Sequence, residues 1–392
     1  MEEWKEYKLG EVTIPVRDRI DTSVLDASSY ISTENMLPDK AGVTLSSGIP
    51  SGKAIQFKDG DVLISNIRPY FKKIWRADKA GGCSADVICL RATKEIEPLF
   101  LYYLLSQELF FDYVMQGAKG TKMPRGDRNQ IMQWPVFLPS KSEQQIIASI
   151  LSALDDKIEV NRQINDNLEQ QAQALFKSWF VDLEPFKNGK FIDTGFGLIP
   201  KGWRVLAFKD FIEASTEKAP VDSLPEYSVT NNGIIPREAK FNKKLSKSSS
   251  MNKVLRKDNL VFGMSREILN WGIMEDEIGG VSSAYNIYKL NQQLISPTYL
   301  KLYMKARLSD FNSLIGTAAR EGQSLDKGQL MQKQIYRPSE KVLQDFFDIY
   351  RPITKAKRHV SDETSRIASL RDTLLPRLMS GELKINEIEN VI

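Results

Sequence analysis

The sequence predicts mixed α/β globular domains, two of them, separated by two long helices that form an antiparallel coiled coil, with a pseudo-two-fold internal repeat. Three observations predict it. The chain repeats itself at an offset of 199 residues, about half of its 392. Trp4 returns as Trp203, Pro98 as Pro297, Leu101 as Leu300 and Gly117 as Gly316, while Asp127, Gln130, Met132 and Gln133 return as Asp326, Gln329, Met331 and Gln332. Such a period marks two copies of one unit, residues 1–199 and 200–392. The second observation is a run free of Pro and Gly over residues 142–180, with a seam at steps of four and three. The third is a set of short alternating segments between glycine-bearing loops.

Taken in order, FKDGDVLISNI at residues 57–67 alternates like a strand after a turn, and CSADVICLRA at 83–92 reads as another. The second copy places SAYNIYKL there. PLFLYYLLSQELFFDYV at 98–114 reads as one buried helix with Pro in its first turn. IMQWPVFLPS resembles a short strand closing the domain. The first helical seam is Ile147, Leu151, Leu154, Ile158, Asn161, Asn165, Leu168, Ala172, Leu175 and Trp179. At 1.5 Å per residue that helix would be roughly 58 Å long. The repeat gives a weaker second seam from Phe346 to Leu378, with Pro352 expected to kink it or delay its start. Two amphipathic seams in one chain are buried most cheaply against each other. Asn161 and Asn165 on the seam read as register-setting residues, or as contacts to a partner helix.

Composition narrows the function. Hydrophobic residues make up 42% and charged residues 27%, which suits soluble globular domains. No stretch approaches the roughly 18 apolar residues of a membrane helix. The N-terminus is too polar for a signal peptide, and two cysteines fit a reducing cytoplasm, the expected location. Cys83, Cys89 and the single His359 do not make a zinc pattern. GIPSGK is one residue short of a phosphate loop and lacks its Ser or Thr. There is no dinucleotide fingerprint and no Asn/Asp-Pro-Pro-aromatic tetrapeptide of amino-methyltransferases. These absences point to binding rather than catalysis. The net charge is only +4, but it is unevenly spread. Residues 240–257 carry seven basic side chains and no acidic one, and residues 117–128 carry four against Asp127. That pattern permits a nucleic-acid partner.

Three segments now carry a resemblance: GFGLIPKGWRV opening the second copy, SEQQIIASILSALDDKIEVNRQINDNLEQQAQALFKSWF, and LRDTLLPRLMSGEL near the end. Together they closely resemble the specificity subunit of type I restriction-modification systems, over essentially the whole chain. The resemblance implies two target recognition domains, 1–141 and 185–339 with its leading linker, a central conserved helix 142–184 and a C-terminal conserved helix 340–392. Each domain would read one half of a bipartite, asymmetric DNA site, and the coiled coil would fix the unread gap. The implied partners are double-stranded DNA, two methyltransferase (modification) subunits and restriction subunits. S-adenosylmethionine would belong to the former, ATP and Mg to the latter, and no cofactor to this chain. The helix length bounds the gap below roughly 17 base pairs. The alternative is a non-catalytic DNA-binding scaffold with degenerate specificity.

Base reading needs Arg, Lys, Asn, Gln or short polar side chains in a groove, whereas phosphates need only donors and charge. In the first domain the candidates are Arg68, Tyr70, Lys72 and Lys73 after a predicted strand, and the basic loop with Lys119, Thr121, Lys122, Arg125 and Arg128. In the second they are Arg266, at or beside the place of Arg68, together with Arg320, Gln323 and Ser324. Trp271 stands between a DNA contact and a core position. Lys243 and Lys244 suit salt-sensitive phosphate contacts. Trp179, Phe180, Leu374, Leu375, Leu378 and Met379 are either a surface for a protein partner or the core of the helix pair.

Overall fold

The structure, a computed structural model, describes residues 4–195, 197–218, 224–237, 252–265, 267–316, 325–385 and 387. It forms two compact units, Met1–Gln163 with Val360–Ile392, and Ile164–His359. Each unit is a mixed α/β domain packed on one end of each of two long helices.

In the first unit, strand Lys5–Lys8 pairs antiparallel with Pro135–Leu138, which closes the domain as its sequence suggests. Two four-stranded sheets follow. One orders Thr13–Pro15, Val87–Ala92, Val62–Ser65 and Ile74–Arg76, all antiparallel. The other orders Arg19–Asp21, Lys53–Phe57, Gly81–Cys83 and Tyr30–Ile31, its last pair parallel. A side chain at Gly81 would come within 2.2 Å of the Ser29 carbonyl, so this close approach needs glycine. Residues 98–114 are not one helix but two, Pro98–Leu105 and Glu108–Gln116. The Ser106 hydroxyl donates to the Tyr102 carbonyl, and Gln107 is extended, which ends one helix and starts the next.

The second unit repeats this plan. Strands Arg204–Ala207 and Gln334–Arg337 pair, and a sheet orders Ile212–Ser215, Asn286–Leu290, Leu260–Phe262 and Trp271–Ile273. Helices Pro297–Ala306 and Leu308–Asn312 stand where the first unit has its pair.

The long helices, Lys141–Phe180 and Glu340–Met379, each have 40 residues and begin and end at the same offset as the repeat. Ser140 and Glu143 exchange hydrogen bonds at the first start, a capping box that satisfies otherwise orphaned N–H groups. Within the first unit Asp155 meets Arg371 at 2.7 Å and Asn161 meets Glu363 at 2.8 Å. Within the second, Glu169 meets Lys357 at 2.6 Å, and the Phe176 and Phe346 rings lie 5.9 Å apart. Partner numbers fall as the first helix advances, so the helices run antiparallel in both units. Pro352 does not delay the second helix, which starts at Glu340 and runs through it. Pro352 is exposed, so water can take the carbonyl its missing N–H leaves, and the Thr354 hydroxyl donates to Arg351 at 3.0 Å.

The helices share the main core of each unit. In the first, Ile147, Leu151, Leu374 and Leu378 pack with Phe100, Leu104 and Phe110; in the second, Phe176, Phe180 and Phe346 pack with Tyr299 and Trp203. Each unit also has a smaller core among its strands, around Phe57 and Leu63 in the first and Leu255 and Val261 in the second.

Candidate nucleic-acid interface

In the first unit the two candidate stretches, about fifty residues apart in sequence, lie side by side. Lys119 and Arg125 exchange backbone hydrogen bonds of 2.9 Å each, which makes residues 119–125 a small hairpin. It docks on the end of strand Val62–Ser65, where Arg68 N–H donates to the Pro124 carbonyl at 2.8 Å and Gly126 N–H to the Asn66 carbonyl at 3.2 Å. Gly120 has a φ of +99°, open to glycine, which lets the hairpin turn. A side chain at Gly126 would meet Val114 and Asn66 within 2.9 Å. Arg68 and Lys72 both sit in the left-handed region, with φ of 51° and 50°. Such residues cost about 1–2 kcal/mol each and persist where the surroundings hold them. Here Asp39 and Lys40 N–H groups grip the Phe71 and Lys72 carbonyls at 2.8 and 3.1 Å.

The side chains form a cationic array. Thr121 and Lys122 are exposed at the hairpin, and among the described residues Lys122 makes no ion pair. Tyr70 is 45% exposed. Arg68 Nε is buried without a hydrogen-bond partner. Arg125 pairs with Asp86 at 3.2 Å and Lys119 with Asp127 at 3.0 Å. The Lys119 ammonium, helped by backbone N–H groups of Gln130 and Asn129, holds the Asp127 carboxyl below its ordinary range. Arg128 donates to the Ala85 carbonyl at 2.5 Å. Lys72 and Lys40 both bind Glu108, so Lys72 is already engaged. Lys73 donates to the Thr33 carbonyl at 2.7 Å; burial and then the Arg68 charge pull its pKa down, opposed by Glu34. Exposed pairs such as Arg125–Asp86 are weak, so a phosphate can compete for the cation. Asp86 and Glu108 were missed in the sequence because nothing local ties them to cations some forty residues away.

In the second unit Lys243, Lys244, Arg266, Arg320, Gln323 and Ser324 lie outside the described residues. What is described is a cleft of about 280 Å³, lined by Ser228, Thr230, Asn231, Arg237, Asn270 and Tyr285. The Asn270 N–H donates to Ser265 Oγ at 2.9 Å, and its side-chain amide donates to the Met264 carbonyl at 2.5 Å. Arg237 is held by Glu226 at 3.9 Å and donates to Ser228 Oγ at 3.4 Å. Trp271 is partly buried and packs against the main core.

The partner-surface reading of the helix residues needs correction. Leu374, Leu375, Leu378 and Met379 are buried in the first unit's core, and Phe180 in the second's. Buried side chains offer no surface to a partner, so their apolar character is spent on the unit's own packing. Trp179 is half-buried against Phe346 and Phe186.

Among the described residues no group of three His, Cys, Asp or Glu side chains is placed to hold a metal ion. None of their helices is long and apolar enough to cross a membrane. Cys83 and Cys89 are buried in the smaller core of the first unit.

Residues 1–170 match the family model of the type I restriction modification DNA specificity domain. The chain is 26% identical over 301 residues to the type I restriction enzyme MjaIX specificity subunit of Methanocaldococcus jannaschii, covering 74% of this chain and 70% of that protein. It is 34% identical over 197 residues to the HindI specificity subunit of Haemophilus influenzae, covering 48% of this chain and 43% of the relative. Among solved structures, the type I restriction-modification S subunit from M. genitalium shares the fold, with a TM-score of 0.56 at 16% identity over 96% of each chain. A chain from a structural study of assembly and conformational transition of the type I R-M system aligns with a TM-score of 0.51 at 16% identity, over 97% of this chain and 98% of that one.

Proposed function

We propose that the chain is a specificity subunit of a type I restriction-modification complex, the family whose DNA specificity domain matches residues 1–170 and whose members it resembles, and that it supplies the DNA sequence specificity of that complex without catalysing a reaction itself. Each globular domain reads one half of a bipartite, asymmetric site. The observation that carries the reading is the duplication: one element order occurs twice in one polypeptide, with different side chains at the loops. A homodimer meets a palindrome with two equal faces. A duplicated single chain can diverge between its copies, so its site can be asymmetric.

The long helices set the number of unread base pairs and carry two modification subunits. Restriction subunits join that core. In this reading S-adenosylmethionine, ATP and Mg serve those partners, and the complex works on DNA in the cytoplasm. The basic hairpin at residues 119–125 supplies phosphate and base contacts in the first half-site.

The test is to express the chain with its modification subunit in a host free of adenine methylation and map modified adenines. One bipartite motif with a fixed gap is the expected result. Methylation without sequence preference would favour a degenerate scaffold. Co-purification of the two proteins with no methylation at all would contradict the specificity role.

A further inference from the structure

The two units place different side chains at one equivalent point, which in the second unit lies at the cleft. In the first, Ser65 N–H donates to the Lys73 carbonyl at 3.0 Å; in the second, Gly263 N–H donates to the Asn270 carbonyl at 2.8 Å. The flanking strands agree, since Lys58 N–H binds Asp61 at 2.8 Å and Arg256 N–H binds Asn259 at 3.2 Å on the way into the paired strands Val62–Ser65 and Leu260–Phe262. Lys73 and Asn270 are therefore counterparts, each at the mouth of a hairpin. A neighbouring segment also corresponds, because Gly82 N–H donates to the Ser29 carbonyl and Gly280 N–H to the Pro225 carbonyl. That segment brings Thr33 to Lys73 and Thr230 and Asn231 to the cleft beside Asn270.

Resting on the specificity reading above, we propose that this shared position reads a base edge in each half-site: Lys73 a guanine, and Asn270 an adenine. The hydrogen-bond inventory sets the assignment. Lys73 spends one N–H on the Thr33 carbonyl and keeps two donors with no acceptor. Donors alone match guanine N7 and O6 in the major groove. Asn270 spends one amide N–H on the Met264 carbonyl and keeps one donor and its carbonyl oxygen. One donor beside one acceptor matches adenine N7 and N6. Both side chains are partly buried and held by backbone carbonyls, which fixes their direction before DNA arrives. The first unit adds Arg68, close enough to Lys73 for their charges to interact, and that strengthens the preference for an acceptor-rich edge.

The test uses the complex with the modification subunit and methylation mapping. The wild-type motif should require a guanine in the half read by the first unit, and an adenine besides the methylated one in the half read by the second. Lys73→Asn should change or relax one position of the first half and leave the second half and the gap intact. Asn270→Lys should do the converse. Lys73→Arg and Asn270→Gln should retain the wild-type motif. A folding-independent check is binding of the wild-type complex to duplexes with 7-deazaguanine or 7-deazaadenine at each purine. A loss of about tenfold at one purine per half-site is expected from the usual size of a base contact. An unchanged motif in Lys73→Asn and Asn270→Lys, or equal binding to every 7-deaza duplex, overturns the assignment while leaving the specificity role standing. A wild-type complex without a bipartite motif overturns both.

Discussion

Arg125 shows how much one side chain can be asked to do. It closes the 119–125 hairpin through its backbone and pairs with Asp86 through its guanidinium. Arg125→Ala is predicted to weaken binding or relax discrimination in the first half-site alone, by about 1–3 kcal/mol if it reads a base. If it touches only phosphate, the salt dependence should fall by about one unit of slope with specificity unchanged. Binding measured over a salt series on half-site variants separates the two, and equal loss at both halves would count against direct readout. Glu169 gives a pH prediction. Burial raises its carboxyl, but hydrogen bonds from Lys305, Lys357 and Gln173 outweigh it and bring it from 4.5 down to about 2. A depressed carboxylate stabilises the fold above its unfolded value and loses that contribution as pH falls through the folded one. Wild type and Glu169→Gln should therefore differ in melting temperature at neutral pH and converge between pH 4.5 and about 2. The basic, glycine-bearing hairpin was legible in the sequence because composition alone marks such a loop. Its acidic counterparts Asp86 and Glu108 were not, since only the tertiary fold brings them near.

At the level of elements, the helix pair was legible and its ends were not fully so. The seam positions announced antiparallel helices, and Asn161 does sit on the seam, wholly buried, with Glu363 as its partner. The choice between partner surface and core at Leu374 and Leu378 could not be made from periodicity, which is identical for both. Both side chains are fully buried, so Leu374→Ala should cost about 2–5 kcal/mol in a urea melt. A loss below about 0.5 kcal/mol would show that the position is open instead. The domains are also pinned to the helices by charge. Tyr103 donates to Asp155 at 2.8 Å, and Arg371 donates to the other oxygen of that carboxylate at 2.7 Å. The second unit uses Lys305 and Lys357 on Glu169 in the same manner. The break at Ser106 and Gln107 escaped the sequence reading because both residues are tolerated inside helices, and the back-bond that ends the first one is visible only in three dimensions.

For the molecule as a whole, the 199-residue repeat was the most informative feature of the sequence, and the long helices reproduce that offset end to end. What the repeat could not give is the reading side chains, because the copies diverge where they would touch DNA. If the helices set the gap, a heptad inserted after both Gln163 and His359 should lengthen it by about three base pairs, since seven residues add about 10 Å. Both half-sites should stay unchanged; methylation mapping reads gap and halves together.

The proposed specificity role requires that each globular domain independently specify one half of the site. The most direct measurement replaces residues 1–140 with the corresponding domain of another specificity subunit and maps adenine methylation by the assembled complex. A hybrid motif is expected, in which one half-site is exchanged while the other half and the gap are kept. A motif altered in both halves, or altered in neither, would contradict it.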